Sequence, residues 1–544
     1  MELKQRLWLP LVWLPLTAFL GCGILWPLWD LFRLPFMENG HYVPDIKNFE
    51  IFFSTPGLLK ATVHSIVCAI VAATISCILA FILGFSICCA NIPGKKILHA
   101  LYMSPLFAPA MMPAIGLIYL FGAKGILFPV DIYGYPGVIT GFVIMVLPAC
   151  TMQIEAALEN LDASALAAAK SLGASAGRRF LTVTLPHTKN ALLRSWSLAF
   201  VFAITDFGVP AVLGGKFSLL ATEVYKQAVG LQDFKMGAIA SLLLLAISTS
   251  VFFLDRHRGT SSAGFGNSHE KYVPAAGKAR DFFCFLAAWL IVGIIVVILG
   301  SVVYGSFIMF WPYNRTLALN NFDFTQNLYG WSPFAVSLLL AAAVSLVGTC
   351  LTFLGAYLTL RVPGARGWTL VYRCLAFLPM CIPGTVLGLA WILSFGSWSF
   401  FSGFLGGMLL LVVNTVVHLY SIPHFTNLNK LDQIDLKLED ASRTLGASRL
   451  RVIRKVIFPL SRSTVAECAS YFFVTTLGSI SAVIFLYRPD TITASITALQ
   501  LIDCGKISQG AAIVTVIMAM ALLGRVAILC MIYRVGRGRG QERP

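Results

Sequence analysis

Charged side chains are scarce in this 544-residue sequence, where Asp, Glu, Lys and Arg together supply only 12%. An average soluble domain carries about 25%. Hydrophobic residues supply 58% and the mean hydropathy is +0.81. So little charge excludes a soluble globular protein, and a polytopic membrane protein is the class that fits.

Motifs for catalysis are absent as well. No G-x-x-x-x-G-K-[ST] phosphate-binding loop occurs, so the chain does not hydrolyse ATP through that motif. Neither H-E-x-x-H nor G-x-S-x-G is present, and the metal-ligating residue types form no cluster. The 13 cysteines include no C-x-x-C pair, and most of them, such as Cys68 and Cys468, lie in apolar runs as small apolar filler. We therefore expect no catalytic residues, no bound metal and no cofactor.

Two segments of the chain are copies of each other. Residues 165–186 read ALAAAKSLGASAGRRFLTVTLP, and residues 438–459 read LEDASRTLGASRLRVIRKVIFP. Each contains a Gly-Ala-Ser step with a proline thirteen residues after the glycine, and the copies lie 273 positions apart. Repetition at half the chain length indicates an internal duplication. We call the surrounding segments, residues 153–190 and 425–462, the first elbow and the second elbow.

Each elbow carries four local signals in the same order. Asp162 precedes a helix-forming run and can cap its free N–H groups. The run ends at Gly173, since glycine suits the left-handed turn that closes a helix. Ser175 is placed to cap a second, basic helix, which we expect to end before Pro186. The second elbow repeats these signals at Asp435, Gly446, Ser448 and Pro459. Such a polar elbow must project into water.

Twelve apolar runs predict twelve transmembrane helices. The first half contains runs at about residues 7–32, 63–89, 98–121, 137–152, 192–214 and 237–254. The second half contains runs at about residues 282–308, 335–360, 369–395, 401–422, 463–486 and 510–533. An even number of spans in each half keeps the two copies parallel. The sequence therefore predicts an all-α polytopic membrane protein of two parallel six-helix repeats, with one path between them.

The predicted repeats are residues 1–258 and residues 281–544. A linker rich in Gly, Ser, Ala and Lys joins them at residues 259–280. When both elbows are placed in the cytoplasm, most of the 40 Lys and Arg residues lie in inner segments, as the positive-inside rule requires. We therefore expect both termini in the cytoplasm. The net charge of +16 is then a topology signal, and we expect no nucleic-acid partner.

Prolines mark the third predicted span of each half. Pro109 and Pro113 in the first half recur 270 positions later as Pro379 and Pro383. Proline removes a helical hydrogen bond and bends the helix. We expect a bend at both places, which serves either as a gate or as a simple kink.

Polar side chains inside apolar runs are costly and rare, so they are candidates for the transport path. Asp206 lies near the outer end of the fifth predicted span. Asn414 and His418 lie one turn apart on the tenth span and share a face. These three residues either contact substrate or the gate, or serve as structural partners, with Asp206 capping a helix end. Glu467 lies early in the eleventh span, near water.

The elbows resemble the EAA loop of binding-protein-dependent ABC importer permeases, with its E-A-A, three residues, Gly, and about a dozen residues to a proline. Ala167 stands where that family has Glu, and Asp440 takes this position in the second copy. The resemblance implies a fold like that of type I ABC importer permeases, with each elbow docked on an ATP-hydrolysing subunit. The positions it assigns to this coupling are Ala168, Ala169, Gly173, Ser175, Pro186, Asp440, Ala441, Gly446, Ser448 and Pro459.

The same resemblance implies the partners and the location. Two copies of an ABC ATPase subunit bind the elbows, and a periplasmic or lipid-anchored solute-binding protein docks on the opposite side. The chain itself lies in the lipid bilayer of the bacterial inner membrane. Transport, and not catalysis, is the expected role.

Residues 205–227, 412–428 and 481–491 look like the fused permeases assigned to 2-aminoethylphosphonate uptake. Iron(III) permeases share the same architecture, so a phosphonate and iron(III) are both open as substrates. An ion-coupled secondary transporter also remains open, although it predicts several mid-membrane acids and few occur. A membrane receptor or scaffold gives no reason for duplicated elbows.

Overall fold

The computed structural model describes residues 2–38, 41–43, 45–257, 277–326, 329–361, 366–401 and 403–537. The helices of the first half are α1 (Glu2–Arg33), α2 (Lys47–Ser54), α3 (Pro56–Cys89), α4 (Lys95–Tyr102), α5 (Met112–Phe121), α6 (Tyr135–Glu159), α7 (Ala163–Ser171), α8 (Ala176–Arg179), α9 (Leu185–Thr205), α10 (Gly208–Leu213), α11 (Leu220–Tyr225) and α12 (Phe234–His257). The helices of the second half are α13 (Lys278–Ser306), α14 (Ser332–Arg361), α15 (Arg366–Phe377), α16 (Gly384–Phe395), α17 (Gly403–Leu419), α18 (Ser421–Asp432), α19 (Leu436–Thr444), α20 (Arg449–Val452), α21 (Phe458–Gly478), α22 (Ala494–Asp503) and α23 (Ile507–Arg537).

Strands are confined to two short antiparallel ribbons among the described residues. They pair β1 (Met37–Glu38) with β2 (His41–Tyr42) and β3 (Ile308–Phe310) with β4 (Asn314–Leu317). The predicted linker at residues 259–280 lies almost wholly outside the described part of the chain, and α13 already begins at Lys278. The all-α fold class is therefore confirmed.

Ten of the twelve predicted spans coincide with helices that are long and apolar enough to cross a membrane. Seven of these are single helices among the described residues, and three are helix pairs bent at a break. The remaining two predicted runs, 192–214 and 463–486, overlap α9 and α21, which have 21 residues each. A 21-residue helix is about 30 Å long, the thickness of the hydrocarbon layer.

The predicted bends in the third span of each half are present. The axis turns by 104° between residues 95–107 and 112–121, and by 112° between residues 367–380 and 384–395. Pro113 occupies the first turn of α5, and Pro383 is the residue at which α16 is capped. Proline cannot donate the hydrogen bond that would continue the preceding helix, so each span breaks there and restarts.

The two halves have the same architecture at a fixed offset. α7, α8 and α9 recur as α19, α20 and α21, each bound displaced by 273 positions. Side-chain contacts repeat as well. Sγ of Cys150 donates to the carbonyl of Ser195, and Sγ of Cys468 donates to the carbonyl of Pro423. Pro423 is equivalent to Cys150 and Cys468 to Ser195, each at the offset of 273, so the contact recurs with donor and acceptor exchanged. The duplication therefore extends from the elbows into the packing of the spans.

The first helix of each half packs against the opposite half. α1 packs against α15, α16 and α17, and Nε1 of Trp391 donates to the carbonyl of Gly23 at 2.8 Å. α13 packs against α3, α4 and α5, and Oγ of Ser301 donates to the carbonyl of Gly116 at 3.2 Å. Gly116 permits this approach, because a β-carbon there would overlap the carbonyl of Ile298. The halves are thus interlocked and not merely adjacent.

Direct contacts between the halves also form at the bends. A β-carbon added to Gly478, the last residue of α21, would lie 3.3 Å from Cα of Pro109. Oγ of Ser248 on α12 donates to the carbonyl of Cys381 at 3.1 Å. One buried apolar cluster includes residues of both halves. The bend of each half is therefore held by a helix of the opposite half.

Candidate functional site

Both elbows begin with the predicted acidic cap. Oδ1 of Asp162 accepts a hydrogen bond from the backbone N–H of Ser164 at 2.8 Å, at the start of α7. Oδ1 of Asp435 accepts one from the backbone N–H of Lys437 at 2.9 Å, at the start of α19. Each carboxylate satisfies a donor that the helix leaves free and places negative charge at the positive end of the helix dipole.

Both elbows turn at the predicted glycine. The φ angle is +78° at Gly173 and +78° at Gly446, in the left-handed region. The residue after each glycine closes the turn with a backbone hydrogen bond. The N–H of Ala174 donates to the carbonyl of Ala169, and the N–H of Ala447 donates to the carbonyl of Ser442. No atom lies within 4 Å of a β-carbon added at either glycine. Backbone conformation, and not crowding, therefore requires glycine here.

The predicted end of the second elbow helix is wrong. α8 continues through one π turn, Phe180–Thr184, directly into α9, and α20 continues through Ile453–Ile457 into α21. Pro186 and Pro459 lie in the first two residues of α9 and α21. A π turn widens the helix just before the proline, which relieves the clash between the ring and the preceding turn. Each elbow is therefore joined by unbroken helix to α9 or α21, which overlap predicted spans.

The serine caps differ between the copies. Oγ of Ser175 accepts from the backbone N–H of Arg178 at 3.3 Å. Ser448 has the same extended backbone at the start of α20, but its side chain makes no capping bond among the described residues. Ser448 thus stands at the predicted N-terminal cap position of α20, but the predicted capping hydrogen bond is not formed.

The tips of the elbows present apolar surface to solvent. Leu172 and Leu445, which precede the two turn glycines, are each 88% exposed. Most of the positions assigned to coupling are exposed around them: Ala168, Gly173, Ser175, Pro186, Asp440, Ala441, Gly446, Ser448 and Pro459, with Ala169 partly exposed. The two elbows therefore present equivalent positions that a partner could contact.

Sequence reasoning missed an ion pair that anchors the second elbow. Nε of Arg361, the last residue of α14, lies 3.1 Å from Oε1 of Glu439 on α19, with side chains only 4% and 1% exposed. These two atoms are in ionic contact and are not aligned for a hydrogen bond. The guanidinium also donates to the carbonyls of Leu431 and Ile434, both at 2.6 Å. The end of α14, the entry to the second elbow and α19 are therefore fixed together.

The first elbow lacks the residues for such a pair. Leu166 stands 273 positions before Glu439, and Asn91 stands 270 positions before Arg361. Leu166 instead packs against the main apolar cluster. The elbows thus share backbone shape but differ in how they are attached, which no local sequence signal revealed.

Asp206 caps a helix. Its Oδ2 accepts a hydrogen bond from the backbone N–H of Val209 at 2.8 Å, in the first turn of α10. Capping a helix end is the structural role that the sequence predicted for Asp206, as the alternative to contact with substrate or the gate. Glu467 is exposed on α21. Neither carboxylate needs a ligand to explain its position.

Asn414 and His418 lie on one side of α17, as predicted, together with Thr415. Asn414 is fully buried, yet both its amide nitrogen and its amide oxygen lack a hydrogen-bond partner among the described residues. The same is true, within the described chain, of Oγ1 of Thr415, Nδ1 of His418 and Oγ1 of Thr385. An unsatisfied buried polar group costs about 1–3 kcal/mol, and lipid supplies no water to reduce that cost.

A second polar group lies where the halves meet near α11 and α22. The ring of Tyr225 is 5.7 Å from that of Phe485, and the Tyr225 hydroxyl is in electrostatic range of Tyr487 and Asp503. Nearby on α11, the buried carboxylate of Glu223 pairs with Lys226 at 3.3 Å. Sequence reasoning did not single out these residues, because they come together only across the contact between the halves. No cluster of three or more His, Cys, Asp or Glu side chains suited to a metal ion occurs among the described residues.

The sequence matches the family described as "Binding-protein-dependent transport system inner membrane component" twice, at residues 78–258 and 366–535. This chain belongs to that family. The two matches cover both elbows and correspond to the two structural repeats, so the protein is a fused permease and a multi-pass inner membrane protein. The family is a component of a transport system and is not itself an enzyme.

Several relatives share part of this chain. The ferric transport system permease protein FbpB of Actinobacillus pleuropneumoniae is 27% identical over 406 residues, covering 72% of this chain and 58% of the relative. The probable ABC transporter permease protein y4fN of Sinorhizobium fredii is 24% identical over 83% of each chain. The putative 2-aminoethylphosphonate transport system permease protein PhnU of Salmonella typhi is 26% identical over 45% of this chain. The chain spans little more than half the length of the ferric permease relatives it matches.

Proposed function

We propose that this chain forms the membrane path of an ATP-driven importer, which admits a small solute delivered by a solute-binding protein. Two copies of an ABC ATPase subunit bind the two elbows in the cytoplasm, on the side where both termini lie. Family membership and two exposed, geometrically matched elbows support this assignment. The observation that carries it is the unbroken helix that follows each elbow turn and continues through α9 or α21.

The second half supports a mechanical route in detail. α20, one π turn and α21 form a continuous helix from Arg449 to Gly478. Gly478 abuts Pro109 at the bend of the first half. Movement of the second elbow toward the first, as the ATPase subunits close, displaces α21 along or about its axis. That displacement presses on the bend of the opposite half, so that ATP-driven closure opens or shuts the path.

The transported solute is a phosphonate, with 2-aminoethylphosphonate as the first candidate. Similarity to the phosphonate permease PhnU over 45% of this chain supports it. Iron(III) is the second candidate, because the ferric permeases are similar over a larger share of this chain. The oxygen ligands that suit a hard cation are available at Tyr225, Tyr487 and Asp503. The two candidates differ in charge and size, so one uptake assay separates them.

The test reconstitutes the chain in proteoliposomes with its ATPase subunit and its solute-binding protein. Binding-protein-stimulated ATP hydrolysis and ATP-dependent uptake of labelled 2-aminoethylphosphonate are the expected results, with ferric iron measured in parallel. Uptake driven by a pH gradient in the absence of ATP would overturn the proposal in favour of an ion-coupled transporter. A double variant, Gly173→Val and Gly446→Val, serves as the control that removes coupling but leaves the spans intact.

A further inference from the structure

Four of the side chains of the second half whose buried polar atoms lack hydrogen-bond partners within the described chain lie on α16 and α17, next to the bend. Gly384 opens α16 directly after the 112° bend, and a β-carbon there would lie 3.1 Å from Nε2 of His418 and against Oγ of Ser481. Thr385 is the next residue on α16. Asn414 and Thr415 lie on the same side of α17 as His418. We call Thr385, Asn414, Thr415, His418 and Ser481 the second-half polar site.

The first half shows that the fold does not require these polar residues. At the equivalent positions it has Ile115, Gly141, Phe142, Met145 and Gly208, all of them apolar. The Cys150–Ser195 and Pro423–Cys468 contacts, 273 positions apart, align α6 with α17 and α18 and align α9 with α21. Gly141 packs closely on Val209, so the first half is filled where the second half carries hydrogen-bonding groups. The polar set is therefore specific to the second half.

The second-half polar site adjoins the contact between the halves. α16 packs against α12 of the first half, and Ser248 on α12 bonds to the carbonyl of Cys381, three residues before Gly384. His418 is partly exposed, whereas Asn414 and Thr385 are fully buried. His418 and Ser481 are therefore the accessible members of the site. Four of its five side chains have a buried polar atom without a hydrogen-bond partner among the described residues.

We propose that the second-half polar site binds the oxyanion of the transported solute when the path opens. Its hydroxyl, amide and imidazole groups can all donate hydrogen bonds, and it contains no carboxylate. Such a set suits a phosphonate or a similar oxyanion, and it is poorly suited to a bare iron(III) ion, which requires anionic oxygen ligands. The inference rests on the proposed import function, and it assigns the substrate-binding role to one half of the duplicated chain.

The experiment replaces residues of the site by their first-half equivalents in the reconstituted complex. His418→Met is the main variant, and Ser481→Gly is a milder second variant that removes only one hydroxymethyl group. Met145→Leu in the first half is the matched control. Uptake of labelled 2-aminoethylphosphonate is measured at saturating binding protein, so that the rate reports steps within the membrane. ATP hydrolysis and thermal unfolding are measured on the same samples.

Both site variants are expected to lower phosphonate uptake at least tenfold, equivalent to about 1.4 kcal/mol. Stimulated ATP hydrolysis should stay within twofold of wild type. The unfolding temperature of His418→Met should be unchanged or higher, because that variant removes a buried nitrogen without a hydrogen-bond partner among the described residues. Uptake within twofold of wild type in both variants would overturn the inference. So would wild-type uptake of ferric iron in place of the phosphonate. A wild-type complex with no ATP-dependent uptake of either probe would instead refute the proposed function itself.

Discussion

Replacing Glu439 by leucine, the residue that the first elbow has at the equivalent position, isolates the ion pair that anchors the second elbow. The change leaves the buried guanidinium of Arg361 without its carboxylate. Breaking a buried pair on one side costs about 3–5 kcal/mol. Because Arg361 keeps two backbone acceptors at 2.6 Å, we expect the low end, about 3 kcal/mol.

Hydrogen exchange measures this cost where it acts. A loss of about 3 kcal/mol that is confined to the second elbow raises the exchange of the α19 amides by about a hundredfold. The amides of α7 in the first elbow serve as the internal reference and should not change. Leu166→Ala is the control variant, because it perturbs the first elbow and leaves the ion pair intact.

The double variant Arg361→Met with Glu439→Leu completes the cycle. Removing both charges leaves no unpaired buried ion, so exchange at α19 should return most of the way to the wild-type rate. Unchanged protection of α19 in Glu439→Leu, or strictly additive effects of the two substitutions, would refute the anchoring role. Affinity for the ATPase subunit, measured on the same variants, then shows whether the anchor matters for docking.

Three further predictions concern the elbows and the route between the halves. Gly446→Val places a branched residue at a φ of +78°, which costs about 1–2 kcal/mol. The variant should reduce co-purification of the ATPase subunit, whereas the control Gly177→Ala should not. Equal recovery of the ATPase subunit with both variants would contradict the docking role. Gly478→Val crowds the 3.3 Å contact with the opposite half and should slow uptake while ATPase binding persists; normal uptake would exclude the proposed route. Cysteines introduced at Leu172 and at Leu445 should react with an impermeant thiol reagent only from the cytoplasmic side, and labelling from opposite sides would contradict the parallel repeats.

Local signals predicted the elbows well because each is fixed by neighbouring atoms. An acidic side chain two residues before a free N–H, and a glycine where φ must be positive, determine Asp162 and Gly173 almost independently of the remaining chain. Pro186 misled the prediction, because a proline ends a helix only when the preceding turn cannot widen. The π turn before it is a property of the whole helix and is not visible in the residue pattern.

Long-range contacts were beyond the reach of sequence reasoning. Arg361 and Glu439 are 78 positions apart, and neither residue type nor spacing indicates that they meet. The polar group around Tyr225 and Tyr487 likewise depends on how the halves are packed. Asn414 and His418 could be paired in advance because helical spacing alone places them on one face. Their lack of partners became evident only from the surrounding helices.

The exchange of first helices also sets the order in which the protein can mature. The surface of α3, α4 and α5 receives its covering helix only when α13, ending at Ser306, has been synthesised. During translation the first repeat therefore sits in the bilayer with one flank open to lipid, even after its own spans are complete. An early stop codon between the repeats would leave that flank uncovered. It would also leave α1 without the helices against which it packs, α15, α16 and α17. A second polypeptide carrying the missing repeat could restore both contacts only if it were inserted close by.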